Sequence, residues 1–85
     1  MSRFDRLLAK ARRNPAGLRF EELTALAELA GFRRRRIRGS HQIYSREGIP
    51  VLLNLQEVRG MAKPYQVRQL VALIEAYGPT GGVEE

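Results

Sequence analysis

The one histidine of this chain, His41, stands inside a cluster of arginines. Between positions 33 and 46 lie Arg33, Arg34, Arg35, Arg36, Arg38 and Arg46, with no acidic residue among them. The 85-residue chain carries 15 Lys and Arg against 9 Asp and Glu, a formal charge of +6. Outside this window the nine remaining bases offset the nine acids, so the whole net charge sits within 33–46. Charge spread evenly aids solubility, whereas charge gathered in one stripe points to a polyanion. Guanidinium forks grip phosphate with two hydrogen bonds and stack on bases. Imidazole exchanges protons near neutral pH. Beside an RNA phosphodiester it can deprotonate a 2′-hydroxyl or protonate the leaving oxygen, which typically supplies about 10²–10⁴-fold. Neighbouring cations would stabilise the charge that builds on phosphorus.

The bland alternative for the arginine run is a solvated strand exterior. Strand side chains alternate between faces, so Arg33 to Arg36 cannot all share one. Four adjacent cations repel one another unless an anion is present, which favours a phosphate partner. Ser40 next to His41 invites a nucleophile-and-base reading, but neighbouring strand residues point apart. Gly39 and Ser40 read better as the turn that positions His41, with the serine bonding local backbone or a phosphate. Lys63 precedes Pro64 at a helix start, where free N–H groups favour an anion. Arg59 and Gly60 are weaker candidates of the same kind. The inward pair of the histidine's strand stays open: either His41 and Ile43, or Gln42 and Tyr44. A catalytic His41 requires Tyr44 inward and Ile43 at least partly exposed.

The composition narrows the classes. Without cysteine there is no disulfide and no thiolate metal site, and one histidine is too few for a zinc enzyme. No metal or cofactor is expected. No apolar run approaches the ~18–20 residues of a membrane span. The start, Met1-Ser2-Arg3-Phe4-Asp5, lacks a signal-peptide core, so a cytoplasmic location is expected. The segment Gly78-Pro79-Thr80-Gly81-Gly82 lacks the Lys-Ser/Thr pair of a phosphate loop and reads as a frayed tail over 79–85.

The elements that must hold these residues are legible in outline. Ser2 and Asp5 look like an N-cap pair, followed by an apolar face of Phe4, Leu7, Leu8 and Ala11. Asn14-Pro15-Ala16-Gly17 stops that helix. A second helix is expected from Phe20 to Ala30, closed by Gly31. Phe32–Arg38 and His41–Arg46 read as strands around the turn at Gly39-Ser40. Glu47-Gly48 reads as a two-residue hairpin turn, and Ile49–Gln56 as a third strand. A polar loop spans Glu57–Lys63, and a last helix starts at Pro64 and ends at Gly78. The order α-α-β-β-β-α predicts an α+β fold, a three-stranded antiparallel sheet with helices on one face and the other face in solvent.

The stretch Gly31-Phe32, then basic residues, then Arg38-Gly39-Ser40-His41-Gln42-Ile43-Tyr44, resembles the HicA toxin family. Leu53-Asn54-Leu55-Gln56 and Ala62-Lys63-Pro64-Tyr65-Gln66-Val67-Arg68-Gln69 are similar to a subgroup with an N-terminal helical extension. The resemblance covers residues 18–78. It implies a double-stranded-RNA-binding-like α-β-β-β-α domain over 18–78, preceded by a helical extension over 1–17. It also implies an endoribonuclease (mRNA interferase) neutralised by a HicB-like antitoxin. Carried over by position, His41 is the catalytic histidine, with Gly39 and Ser40 as its turn. The RNA backbone would be held by Arg33, Arg34, Arg35, Arg36, Arg38, Arg46 and Lys63. The partners expected are therefore RNA, single-stranded or structured, and the antitoxin, with no membrane; a homodimer is compatible with the sequence. A non-catalytic RNA-binding module of the same fold and a protein-interaction domain are the alternative readings.

Overall fold

The computed structural model describes residues 2–79, so the expected frayed tail lies outside the described residues from Thr80 onward. Helix α1 (Arg3–Arg13) begins on a capping box. The Ser2 hydroxyl accepts the Asp5 N–H at 3.0 Å and the Asp5 carboxylate accepts the Ser2 N–H at 3.5 Å. A 3₁₀ turn at Pro15–Gly17 separates it from α2 (Phe20–Leu29). Gly31, at φ +92°, ends α2 in a Schellman turn: its N–H reaches the Glu28 carbonyl and the Phe32 N–H reaches that of Ala27. Leu7, Leu8 and Ala11 of α1 join the same buried cluster as Leu23 and Leu26 of α2. The N-terminal helix is thus part of the core. Lys10 also pairs with Glu22 at 3.0 Å, and Arg12 with Glu75 at 3.0 Å.

The sheet is antiparallel and has four strands where three were expected. They run in the order β1 (Arg33–Arg38), β2 (His41–Ser45), β3 (Leu53–Val58), β4 (Met61–Ala62). The extra strand comes from the supposed polar loop. Arg59 and Gly60 both have positive φ, +54° and +80°, the signature of a type I′ hairpin turn that folds Met61-Ala62 back onto Glu57-Val58. The third strand also starts later than its alternation suggested. After Ser45 the chain makes a turn closed by the Ile49 N–H on the Arg46 carbonyl, with Gly48 at φ +90°. Ile49 then drops into the core, Pro50 has no N–H to offer a ladder, and pairing resumes only at Leu53. Helix α3 (Pro64–Tyr77) follows and stops at Gly78, φ +95°.

All the helices lie on one side. Tyr44, Leu53 and Leu55 point into the core with Val67, Leu70 and the apolar stripe of α2. At the β4 edge, Leu18 and Phe20 bond the backbone of Ala62 and Gly60, covering that edge. At the other edge β1 carries six exposed residues, five of them arginines, a charge density that discourages pairing with a second copy.

Candidate nucleic-acid interface

Tyr44 is 1% exposed, which selects the inward pair: Gln42 and Tyr44 face the helices, and His41 and Ile43 face the open side. The Tyr44 hydroxyl donates to the Gln42 side-chain oxygen at 3.0 Å. Burial, with a smaller contribution from Glu28, raises its phenol above the ordinary range. It is a core residue, and its ring is not a platform for bases.

Residues directly opposite in a ladder share a face. His41 is flanked by Arg38 on β1 and Gln56 on β3, and Ile43 by Arg36 and Asn54. Uninterrupted alternation would add Arg34 to this set and exclude Arg33 and Arg35. The register instead shifts between Arg34 and Arg36, where Arg35 is the extra residue of a β-bulge. Arg33 now stands opposite Ser45, and the Arg35 Nε donates to the Ser45 hydroxyl at 2.7 Å. Arg34 stands opposite the inward Tyr44. The bulge therefore gives His41's face Arg33, Arg35, Arg36 and Arg38. It sends Arg34 toward the helix side, where a cleft is lined with Glu28 and Phe32; Arg33, at the start of the strand, borders that cleft as well.

The turn before His41 is a two-residue hairpin in which Gly39, at φ +58°, is the first central residue and Ser40 has no positive φ. That is the type II′ pattern, which needs glycine at this position. Ser40 is bound to β3: its hydroxyl accepts Gln56 Nε2 at 3.3 Å and its carbonyl accepts the Glu57 N–H at 3.3 Å. Ser40 is thus tied to β3 and makes no bond to the imidazole.

Asn54 holds the imidazole. Its Oδ1 lies 2.9 Å from His41 Nδ1. With the amide oxygen accepting, Nδ1 carries the proton of the neutral ring and Nε2 keeps its lone pair. The sequence reading missed this residue. The available signal was a polar side chain between two leucines, Leu53 and Leu55, but its contact with His41 depends on strand register. The imidazole, Arg36, Arg38 and Asn54 surround an open groove of about 370 Å³ whose remaining lining is Ile43 and Leu52. A larger cleft of about 600 Å³ lies between α1 and α2, but its acids, Glu21 and Glu22, stand among its bases and it holds no histidine.

Two expected phosphate ligands sit elsewhere. Arg46 is only 5% exposed. Its guanidinium donates to the carbonyls of Ala30 at 3.1 Å, Gly78 at 2.8 Å and Tyr77 at 3.1 Å. It joins the C-terminal ends of α2 and α3, where backbone dipoles favour a cation. It is therefore a structural arginine, and its assignment to RNA is corrected. Lys63 is half-buried at the N-cap of α3 and does not line the groove. Pro64 has no N–H and that of Gln66 is taken by the Lys63 carbonyl, so two of the expected first-turn donors are lost to an anion.

Among the described residues no group of three His, Cys, Asp or Glu could hold a metal ion, and no helix is long and apolar enough to cross a membrane. Comparison with protein-family models, with curated proteins and with solved structures yields no match to this chain.

Proposed function

We propose that this chain is a HicA-like endoribonuclease, the toxin of a toxin–antitoxin pair, that uses His41 for metal-independent acid–base cleavage on a double-stranded-RNA-binding-like domain. The observation that carries the reading is His41 on the open sheet face, its Nδ1 at 2.9 Å from Asn54 Oδ1, with Arg36 and Arg38 lining the same groove. Nε2 takes the proton of a ribose 2′-hydroxyl. The 2′-oxygen attacks the adjacent phosphorus, and the bond from phosphorus to the 5′-oxygen breaks. Guanidinium groups stabilise the negative charge on the non-bridging oxygens. The leaving 5′-oxygen takes a proton from the imidazolium or from water. The products are a 2′,3′-cyclic phosphate and a 5′-hydroxyl. An acidic antitoxin surface would neutralise the enzyme by covering the same arginines.

One feature favours a second reading, RNA binding without cleavage: among the described residues His41 is the only ordinary acid–base group lining the groove. One experiment separates the two. Wild type and His41→Ala are incubated with RNA in excess chelator. Cleavage by the wild type alone, with a cyclic-phosphate end and a loss of about 10²-fold or more in the variant, supports the enzyme. Equal cutting by both defeats the role of His41. Salt-sensitive binding with no cutting by either selects the binding module.

A further inference from the structure

The groove beside His41 contains a feature that phosphate contacts leave unused. Its floor is apolar. Leu52 is 60% exposed, among the most exposed large hydrophobic residues described, and Ile43 is half-buried next to it. Exposed leucines are common singly. This one lines the same groove as Ile43, Arg36, Arg38 and His41, with no acid among the described residues of the lining. A phosphate-only surface gains nothing from apolar side chains in its lining.

We infer that this floor seats one unpaired nucleobase next to the scissile phosphate, so that the substrate class is single-stranded RNA. The inference rests on the ribonuclease reading and sharpens it. The flat face of a base covers Ile43 and Leu52, while Arg36 can stack on its rim or hold a flanking phosphate. Asn54 has its oxygen occupied by His41, which leaves its NH₂ donors for an acceptor on the base edge. At about 370 Å³ the groove lies near the lower end of small-ligand sites, roughly 300–1,000 Å³, which suits one nucleoside and not a helix. The reaction makes the same demand. Attack by the 2′-oxygen must be in line with the departing 5′-oxygen, and regular A-form stacking holds the 2′-hydroxyl away from that line. A splayed nucleotide, typical of sequence-read RNA, can reach it. The four arginines on this face then follow the backbone on either side of the seated base.

The test measures affinity with RNA that cannot be cut, a short strand methylated at every 2′-oxygen so that no nucleophile remains. The same strand is also presented annealed to its complement, and with the central base removed. Wild type is expected to bind the single strand about tenfold more tightly than the duplex or the abasic strand. Leu52→Ser, at an exposed position, is expected to lose about five- to tenfold on the single strand and to leave the other two unchanged. Leu52→Ala serves as the milder control, and an unchanged Tm verifies folding. Equal binding of duplex and single strand, or of abasic and intact strand, overturns the seat while leaving the ribonuclease reading standing. So does an equal effect of Leu52→Ser on all three probes, or no effect on any. If wild type binds none of the RNAs, the nucleic-acid reading falls with it.

Discussion

Replacing Arg46 by Met should destabilise the fold by about 2–4 kcal/mol. The Ala30 carbonyl receives its bond in a buried setting, whereas those of Tyr77 and Gly78 are only partly buried. A buried carbonyl left without a donor costs about 1–3 kcal/mol, and each of the other two, able to recruit water, about 0.5–1.5. Loss of a cation at two helix C-terminal ends adds a few tenths to about 1 kcal/mol. Release from burying a guanidinium, with methionine filling much of the space, returns part of this. An 85-residue domain has roughly 4–13 kcal/mol in all at about 0.05–0.15 kcal/mol per residue, so the loss is a large fraction. Urea denaturation of wild type, Arg46→Met and Arg46→Lys gives the measurement. The lysine variant should fall between the others, since one ammonium cannot fork across both helix ends. Where Arg46→Met is still folded, the salt dependence of RNA binding should match wild type. Arg36→Gln should instead flatten the log–log slope by about 0.7, the share of one phosphate on a single strand. A stability loss below about 0.5 kcal/mol, or a flattened salt slope in Arg46→Met, would refute the assignment of this arginine to the fold.

Asn54→Ala should lower kcat for RNA cleavage by about tenfold or more, toward the loss of general-base catalysis itself. Its independent signature is in the ¹⁵N spectrum of His41. The wild-type neutral ring should be mainly protonated at Nδ1, and that preference should weaken in the variant; an unchanged tautomer ratio removes the positioning role. Glu22 tests the joint between α1 and α2. Its carboxyl is held below the ordinary 4.5 by the Arg19 N–H first and by Lys10 as well, against the opposing effect of burial. A depressed folded-state pKa stabilises the protein above the unfolded value, and this is lost as pH falls through the folded one. Glu22→Gln should therefore cost about 1 kcal/mol near pH 6.5 and much less at pH 3, read by urea denaturation. An equal cost at both values would show that the carboxylate charge is not what matters.

Local chemistry was readable along the chain. Ser2 and Asp5 announced the first helix and Gly31 the end of the second; Gly39 marked the turn before His41. Each of these is settled by side-chain-to-backbone bonds or by a φ sign within a few residues. The short hairpin at Arg59-Gly60 was just as local, but without strand-like flanks of useful length it read as loop. The late start of β3 escaped because Val51, Leu53 and Leu55 alternate equally well in a strand or in an extended approach to one.

What residue types alone established is that one histidine and a concentrated positive charge occupy the same stretch of chain. Which of those cations serve it was a tertiary matter. A bulge at Arg35 depends on how β1 pairs with β2, and it exchanges Arg34 for Arg33 and Arg35 on the histidine's face. Asn54 reaches His41 through the register of β2 with β3. Arg46 has the same chemistry as its neighbours but is buried against two helix ends that are distant in sequence. Periodicity reports which face a side chain takes relative to its neighbours in the chain. Register, bulges and the meeting of helix ends are set by contacts between distant segments, and those contacts decide which charge meets solvent.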